Sequence, residues 1–171
     1  MGTYILYKET IKMIAEIRKL TDGYIVKFER QFPYTAEEVW SVLTENSKLK
    51  KWMPNLQIES LKTAGIIKFD MMDGSFINID ILECQLNSVL EFTWDKDRVR
   101  FEIHNEENGT LLLLKEYIHE LTDHTPRDVA GWHICLNLFS FVLEGEEKEF
   151  SKDEWQQWFE IYKDKIHEVR G

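Results

Sequence analysis

Apolar side chains recur at every second position through much of the chain, and they mark the faces of a sheet. In segment 24–32 (YIVKFERQF), Val26 and Phe28 alternate with Lys27 and Glu29, which places one side in the core and the other in water. Segment 14–20 (IAEIRKL) is joined to it by Thr21-Asp22-Gly23. Asp-Gly suits the positive φ values of a tight hairpin turn, so the two segments are expected to pair. Further alternating segments follow at 57–61, 66–72, 75–84, 89–94, 98–104 and 110–119. Turn-forming residues separate them at Gly65, Asp73-Gly74, Asn87-Ser88, Asp95-Lys96-Asp97 and Asn108-Gly109. The alternation assigns Ile67, Phe69 and Met71 to the inward face, with Ile77, Ile79 and Ile81 beside them. Leu90, Phe92 and Trp94, then Val99, Phe101 and Ile103, then Leu112 and Leu114 continue it, and Glu116 falls on the last inward row. Hairpin-like strands in succession, without helical crossovers, require an antiparallel sheet.

Elsewhere the period lengthens to three and four. Thr35-x-x-Glu38 has capping-box spacing ahead of Val39, Trp40 and Leu43 and predicts a helix as far as Thr44. A second short helix is expected from Asn46 to Trp52, stopped by Pro54. Both are too short to span a core and read as a lid or gate at one end of the sheet. The spacing predicts a long helix over 126–144, with Thr125 as cap, Pro126 at the first position, Asp128 at the capping-box distance and Gly145 as stop. Val129, Trp132, Leu136, Phe139 and Leu143 share one face of it. Ser151-Lys152-Asp153-Glu154 opens an additional helix over 152–167. Its Trp155, Trp158, Phe159, Tyr162 and Ile166 make a stripe that serves as a docking face or, alternatively, as a homodimer seam. Residues 1–12 show no clear period and read as an N-terminal extension. The expectation is one α+β domain over 1–171, with its core at 14–145.

Composition narrows the partners. Against 21 basic side chains stand 31 acidic ones, a net charge of −10, so phosphate neutralisation offers no gain and neither nucleic acid nor an anionic membrane is an expected partner. Cys84 and Cys135 lack CxxC spacing and lie in apolar segments, as reduced thiols of a cytoplasmic protein would. A charged-then-apolar leader and an apolar run of about 18 residues are both missing, which agrees with a cytoplasmic location. No glycine-rich phosphate loop follows a strand, and His119, His124 and His133 with Glu120 and Asp123 match no zinc spacing. Neither a cofactor nor a metal is expected.

Particular stretches resemble the START-like, or SRPBCC, superfamily, whose fold is called a helix-grip. They are DGYIVKFERQFPYTAEEVWSVLTENSKLKKWMP at 22–54, LEFTW at 90–94, GTLLLLKEY at 109–117 and GWHICLNLFSFVLEG at 131–145. The nearest branch is the one related to activators of heat-shock-chaperone ATPase activity. The resemblance implies a curved antiparallel sheet wrapped around the long helix, with an elongated cavity between them. Asn137 departs from the pattern, since that branch often carries Asp there, and an acidic role at this position does not carry over.

The candidate chemistry gathers on the long helix. Stepping by three and four from His133 gives Asn137, Ser140 and Glu144, a polar row beside the apolar stripe. His133 can be a satisfied core histidine bonded to a sheet carbonyl or to Glu116. It can also orient a ligand together with Glu116 and Asn137, or act as a general acid or base. Trp52, ahead of Met53 and Pro54, is expected at a pocket mouth. The ligand-contacting set is therefore Trp52, Trp94, Phe101, Glu116, Trp132, His133, Leu136 and Asn137. The leading expectation is non-enzymatic binding of an apolar or aromatic small molecule between sheet and helix, by a monomer or homodimer. A chaperone-ATPase-modulating interaction domain is the alternative, and a cyclase- or hydrolase-like enzyme using His133 and Glu116 is the third reading.

Overall fold

In the computed structural model, which describes residues 13–171, the alternating segments form one eight-stranded antiparallel sheet. The expected extension at 1–12 lies outside the described residues. The strands are β1 (Glu16–Leu20), β2 (Gly23–Phe32), β3 (Leu56–Ile58), β4 (Ile66–Asp70), β5 (Phe76–Gln85), β6 (Val89–Trp94), β7 (Asp97–Glu106) and β8 (Gly109–Ile118). Their order is β1-β2-β8-β7-β6-β5-β4-β3. The β1–β2 hairpin therefore joins the far edge of the meander through β8, with Phe28 opposite Leu114 and Val26 opposite Glu116. The turn between β1 and β2 needs its glycine. Gly23 has φ +147, and a Cβ there would stand 2.3 Å from the carbonyl oxygen of Ile118. A register shift between Ile81 and Glu83 in β5 adds local twist where the sheet bends.

Four helices flank the sheet among the described residues: α1 (Ala36–Thr44), α2 (Asn46–Leu49), α3 (Thr125–Leu143) and α4 (Lys152–Arg170). The Thr35 hydroxyl accepts from Glu38 N at 3.2 Å, and the Glu38 carboxylate accepts from Thr35 N at 2.8 Å, so the capping box at the start of α1 is complete. Ser151 caps α4 by accepting from Glu154 N. Gly145 closes α3 at φ +78. The expected cap of α3 is corrected. Thr125 is its first helical residue, and its hydroxyl accepts from Thr122 N in the preceding turn. Asp128 does not complete a box, because its carboxylate accepts from the Trp94 indole at 3.0 Å.

Helix α3 covers the inner face of the sheet. Val129, Trp132, Leu136 and Phe139 are buried against Phe28, Leu90, Phe92, Val99, Phe101, Leu112 and Leu114. Helix α4 packs on the far side of α3 and against β1, and Trp158, Tyr162 and Ile166 are buried there. The stripe of the last helix is thus a docking face within the chain. At the tip of the β4–β5 hairpin, Met71 and Ile77 keep the inward phase of their strands but are 43% and 51% exposed. The expectation that both are core is corrected: the hairpin runs past the helical cover.

Phe139 has no exposed surface and lies between Phe32, at 5.8 Å between ring centroids, and Trp52, at 5.1 Å. Removing a large aromatic from such a site forfeits its transfer energy and leaves a cavity. Phe139→Ala is expected to lower unfolding free energy by about 3–5 kcal/mol in chemical denaturation. A loss below about 1 kcal/mol would mean that α3 does not grip the sheet through this ring.

Candidate functional site

Between sheet and α3 the interior is filled by aromatic rings. Trp132 meets Trp94 at 5.0 Å and Phe101 at 6.0 Å. Phe101 stacks on Phe92 and meets Trp52 at 6.1 Å, while Trp94 meets Phe69 at 5.8 Å. Leu136 is fully buried within this cluster. Depressions of about 740 and 420 Å³ lie elsewhere, and neither is lined by Trp94, Phe101, Glu116, Trp132 or His133. Trp94 is half-buried, so this end of the cluster reaches the surface beside the β4–β5 hairpin.

Trp52 does not stand at a mouth. It is 1% exposed, and its indole donates to the Val42 carbonyl at 2.9 Å, satisfying an acceptor near the end of α1. The two short helices plug their end of the sheet; the turn that follows α2 turns Trp52 inward.

Glu116 lies near the C-terminal end of β8 with no exposure, and neither carboxyl oxygen has a hydrogen bond of normal geometry. The Trp132 indole nitrogen and the Asp128 carboxylate both lie close beside it, and the indole nitrogen is likewise buried without a hydrogen bond of normal geometry. Burial pushes the Glu116 carboxyl well above the ordinary 4.5, and the negative charges of Asp128 and Asp97 push it further. The shift favours the protonated form, which can donate from its O–H and accept at its carbonyl oxygen.

His133 and Asn137 turn to the other flank of α3. The His133 ring stacks on Trp158 at 3.6 Å, and its Nδ1 lies 2.7 Å from the Tyr162 hydroxyl. That hydroxyl accepts from Ala15 N at 3.0 Å. Burial, with the positive charge of Arg30 adding to it, holds the imidazole neutral at about 2. The partner of His133 is thus the terminal helix, neither a sheet carbonyl nor Glu116; farther along the polar row Asn137 and Ser140 are half-buried and Glu144 is exposed. His133 and Glu116 form no acid–base pair. Asn137 Oδ1 is buried without a donor. Arg30, Tyr162 and Trp158 were absent from the expected set, although Arg30 holds the next inward place after Phe28.

An antiparallel sheet gripping a long helix, with aromatic and isolated polar groups between them, defines a helix-grip protein of the START-like (SRPBCC) superfamily. More narrowly, the chain belongs to the family described as Activator of Hsp90 ATPase homolog 1-like protein, whose model matches residues 33–144. Among solved structures it is similar to the conserved protein of unknown function EF2215 from Enterococcus faecalis. That likeness has 26% identity and a TM-score of 0.85, over 98% of this chain and 99% of that one. It is also similar to CalU16 from Micromonospora echinospora, with 19% identity and a TM-score of 0.70 over 90% and 96% of the two chains. DynU16, from the dynemicin biosynthetic locus, shares 19% identity and a TM-score of 0.62 over 72% of this chain and 48% of its own. Among curated proteins, none matches the chain.

The neutral state of Glu116 has a direct consequence for stability. The folded chain holds a proton that the unfolded chain releases above pH 4.5, so folding takes up a proton and stability falls as pH rises through that window. Glu116→Gln keeps the shape and removes the titration. Its stability relative to wild type should grow as pH rises above 4.5, by up to about 1.4 kcal/mol per pH unit until the raised folded-state pKa is reached. Parallel profiles for the two proteins would show that Glu116 is ionised in the fold.

Proposed function

We propose that the chain binds an apolar or aromatic small molecule between the sheet and α3, next to Glu116 and Trp132. The observation that carries this reading is the pair of unmatched polar groups inside the aromatic cluster. Buried donors and acceptors in folded proteins are paired in the great majority of cases. The Trp132 N–H and the Glu116 carboxyl together offer two donors and an acceptor, which suits a ligand carbonyl or phenol held among rings. Trp94, Phe101 and Leu136 supply apolar contact, Trp52 closes the far end, and His133 and Asn137 back the helix from its other flank. Entry runs past Trp94 and Phe69, where the cluster meets the surface. CalU16 and DynU16 give the reading context, since DynU16 comes from a locus that makes a small molecule.

A second reading rests on a different feature. Met72, Phe76 and Ile77 at the β4–β5 hairpin are 78%, 53% and 51% exposed, and the family is named for a chaperone-ATPase activator. Such an apolar tip suits contact with a protein partner. Stimulation of Hsp90 ATPase activity by the wild-type protein, lost in a Met72→Ser, Phe76→Ser variant, would favour it.

Binding is tested by extracting the purified protein with organic solvent and identifying co-purified compounds by mass spectrometry. The recovered compound is then titrated while tryptophan fluorescence is followed. Trp132→Phe keeps an aromatic ring but loses the N–H together with the pyrrole part of the indole, so affinity should weaken by roughly ten- to a hundredfold or more in a variant that still folds. Unchanged affinity in Trp132→Phe and Glu116→Leu alike would place the ligand elsewhere, and an empty extract would count against the reading.

A further inference from the structure

On the other flank of α3, Arg30 occupies an inward position of β2 and is 3% exposed. Its Nη1 donates to the backbone carbonyls of Met13, at 3.0 Å, and Glu29, at 2.9 Å, which fixes the plane of the guanidinium. Nε and Nη2 are buried and have no acceptor. These two nitrogens share one edge of the guanidinium, the side-on fork whose spacing matches the two oxygens of a carboxylate. Among the described residues, no carboxylate fills that fork.

A further donor lies in the same neighbourhood. The Tyr162 oxygen accepts from Ala15 N, and among the described residues the acceptor within reach of its own O–H is His133 Nδ1, so the phenol proton is assigned to that nitrogen. A neutral imidazole that accepts at Nδ1 carries its proton on Nε2, and that N–H also has no acceptor. The Arg30 guanidinium lies 5.7 Å from the Phe28 ring, which is itself 5.9 Å from the His133 ring. Asn137 stands one turn along α3 with its own buried, unmatched amide oxygen. Rotating that amide would present another N–H.

Unmatched buried donors around an unpaired guanidinium call for an acceptor that also brings negative charge. Water supplies the first and not the second. We propose that the interior at Arg30, His133 and Tyr162 is a carboxylate-binding subsite, filled by a small free carboxylate or by the head group of an apolar acid. One carboxylate edge takes the Arg30 fork and a remaining lone pair takes His133 Nε2–H. Chloride cannot span the fork with two oxygens, and phosphate would bring up to two charges into the interior. Trp158 and Tyr162 of α4 close the subsite. Arg30, Ala15, Trp158 and Tyr162 all lie outside the family-matched residues 33–144. The inference does not depend on binding at Glu116 and Trp132.

The test uses the full chain dialysed into carboxylate-free buffer and titrated with acetate or octanoate, against sodium chloride at matched ionic strength. Thermal unfolding and long-range ¹H–¹⁵N spectra of the histidine rings are read together. The expected result is a saturable rise in the midpoint with carboxylate and a shift of a buried, Nε2-protonated histidine signal, with neither change in chloride. Octanoate binding at least roughly tenfold tighter than acetate would identify an apolar acid as the source, and similar affinities a free carboxylate. Arg30→Lys keeps the charge and loses the fork, and should weaken binding by roughly tenfold or more. If that variant does not fold, the wild-type histidine signal decides alone. No saturable response to either acid, an unmoved histidine signal, or an equal response to chloride would overturn the proposal.

Discussion

The concave face of the sheet cannot be left in water, and α3 is the element long enough to cover it. Its Trp132 and Phe139 meet Trp94, Phe101 and Phe32 of the sheet and Trp52 beside it, so the grip is made by rings, two pairs edge to face, one tilted and one stacked. Such contacts favour a narrow range of geometries, which fixes the helix more closely than aliphatic packing would. The remaining helices follow from the same need. α1 and α2 close one end of the sheet, and α4 covers the side of α3 that the sheet leaves open. Once α4 is in place, Ala130, His133, Ile134 and Leu138 are buried together with the sheet-facing stripe. That explains why α3 is apolar nearly all round, as a helix buried on every side must be.

Covering both sides of α3 also removes water from polar groups that the chain retains there. They respond differently because their chemistry differs. A carboxyl can shed its charge by keeping a proton, and burial pushes Glu116 that way. An imidazole can do the same by giving one up, as His133 does. A guanidinium has no such exit at physiological pH: burial lowers Arg30 only to about 10, and it remains charged. The two flanks of one helix therefore carry groups of opposite need, a neutral acid among indoles and a cation among a phenol, an imidazole and a phenyl ring.

Much of this order was legible in the sequence. Two-residue alternation assigned the strands from 66 to 118 because each has one wet face, and the capping residues at Thr35 and Ser151 and the stop at Gly145 act locally. Three features were not legible. The inward phase of Met71 and Ile77 is real, but a period says nothing about whether a cover extends over it. Thr125 and Asp128 have the spacing of a cap, yet tertiary partners, the Thr122 amide and the Trp94 indole, claimed their oxygens. For His133 the stripe offers a sheet carbonyl or Glu116 as partner, or a ligand, whereas α4 brings Tyr162 to it across 29 positions of sequence. Arg30 carried the clearest unused signal, a charge on the inward row between Phe28 and Phe32.

The division of these groups along the chain bears on what each can mean. Glu116, Trp132 and the rings around them fall inside residues 33–144, the span shared with the family, so a site there belongs to a scaffold that many chains possess. Fold alone does not assign the occupant of such a scaffold. Arg30 lies just before that span, and Tyr162 and Trp158 lie beyond it, yet all three converge on His133 within it. A terminal helix added only for stability would be expected to bring apolar side chains to an apolar surface. α4 instead brings a hydroxyl that hydrogen-bonds an imidazole, and it lies near a guanidinium that has no carboxylate partner among the described residues. Burying these groups is unfavourable by itself, since apolar residues of similar volume would pack at lower cost. The arrangement fits a helix that closes a site over a bound anion better than one that merely thickens the core.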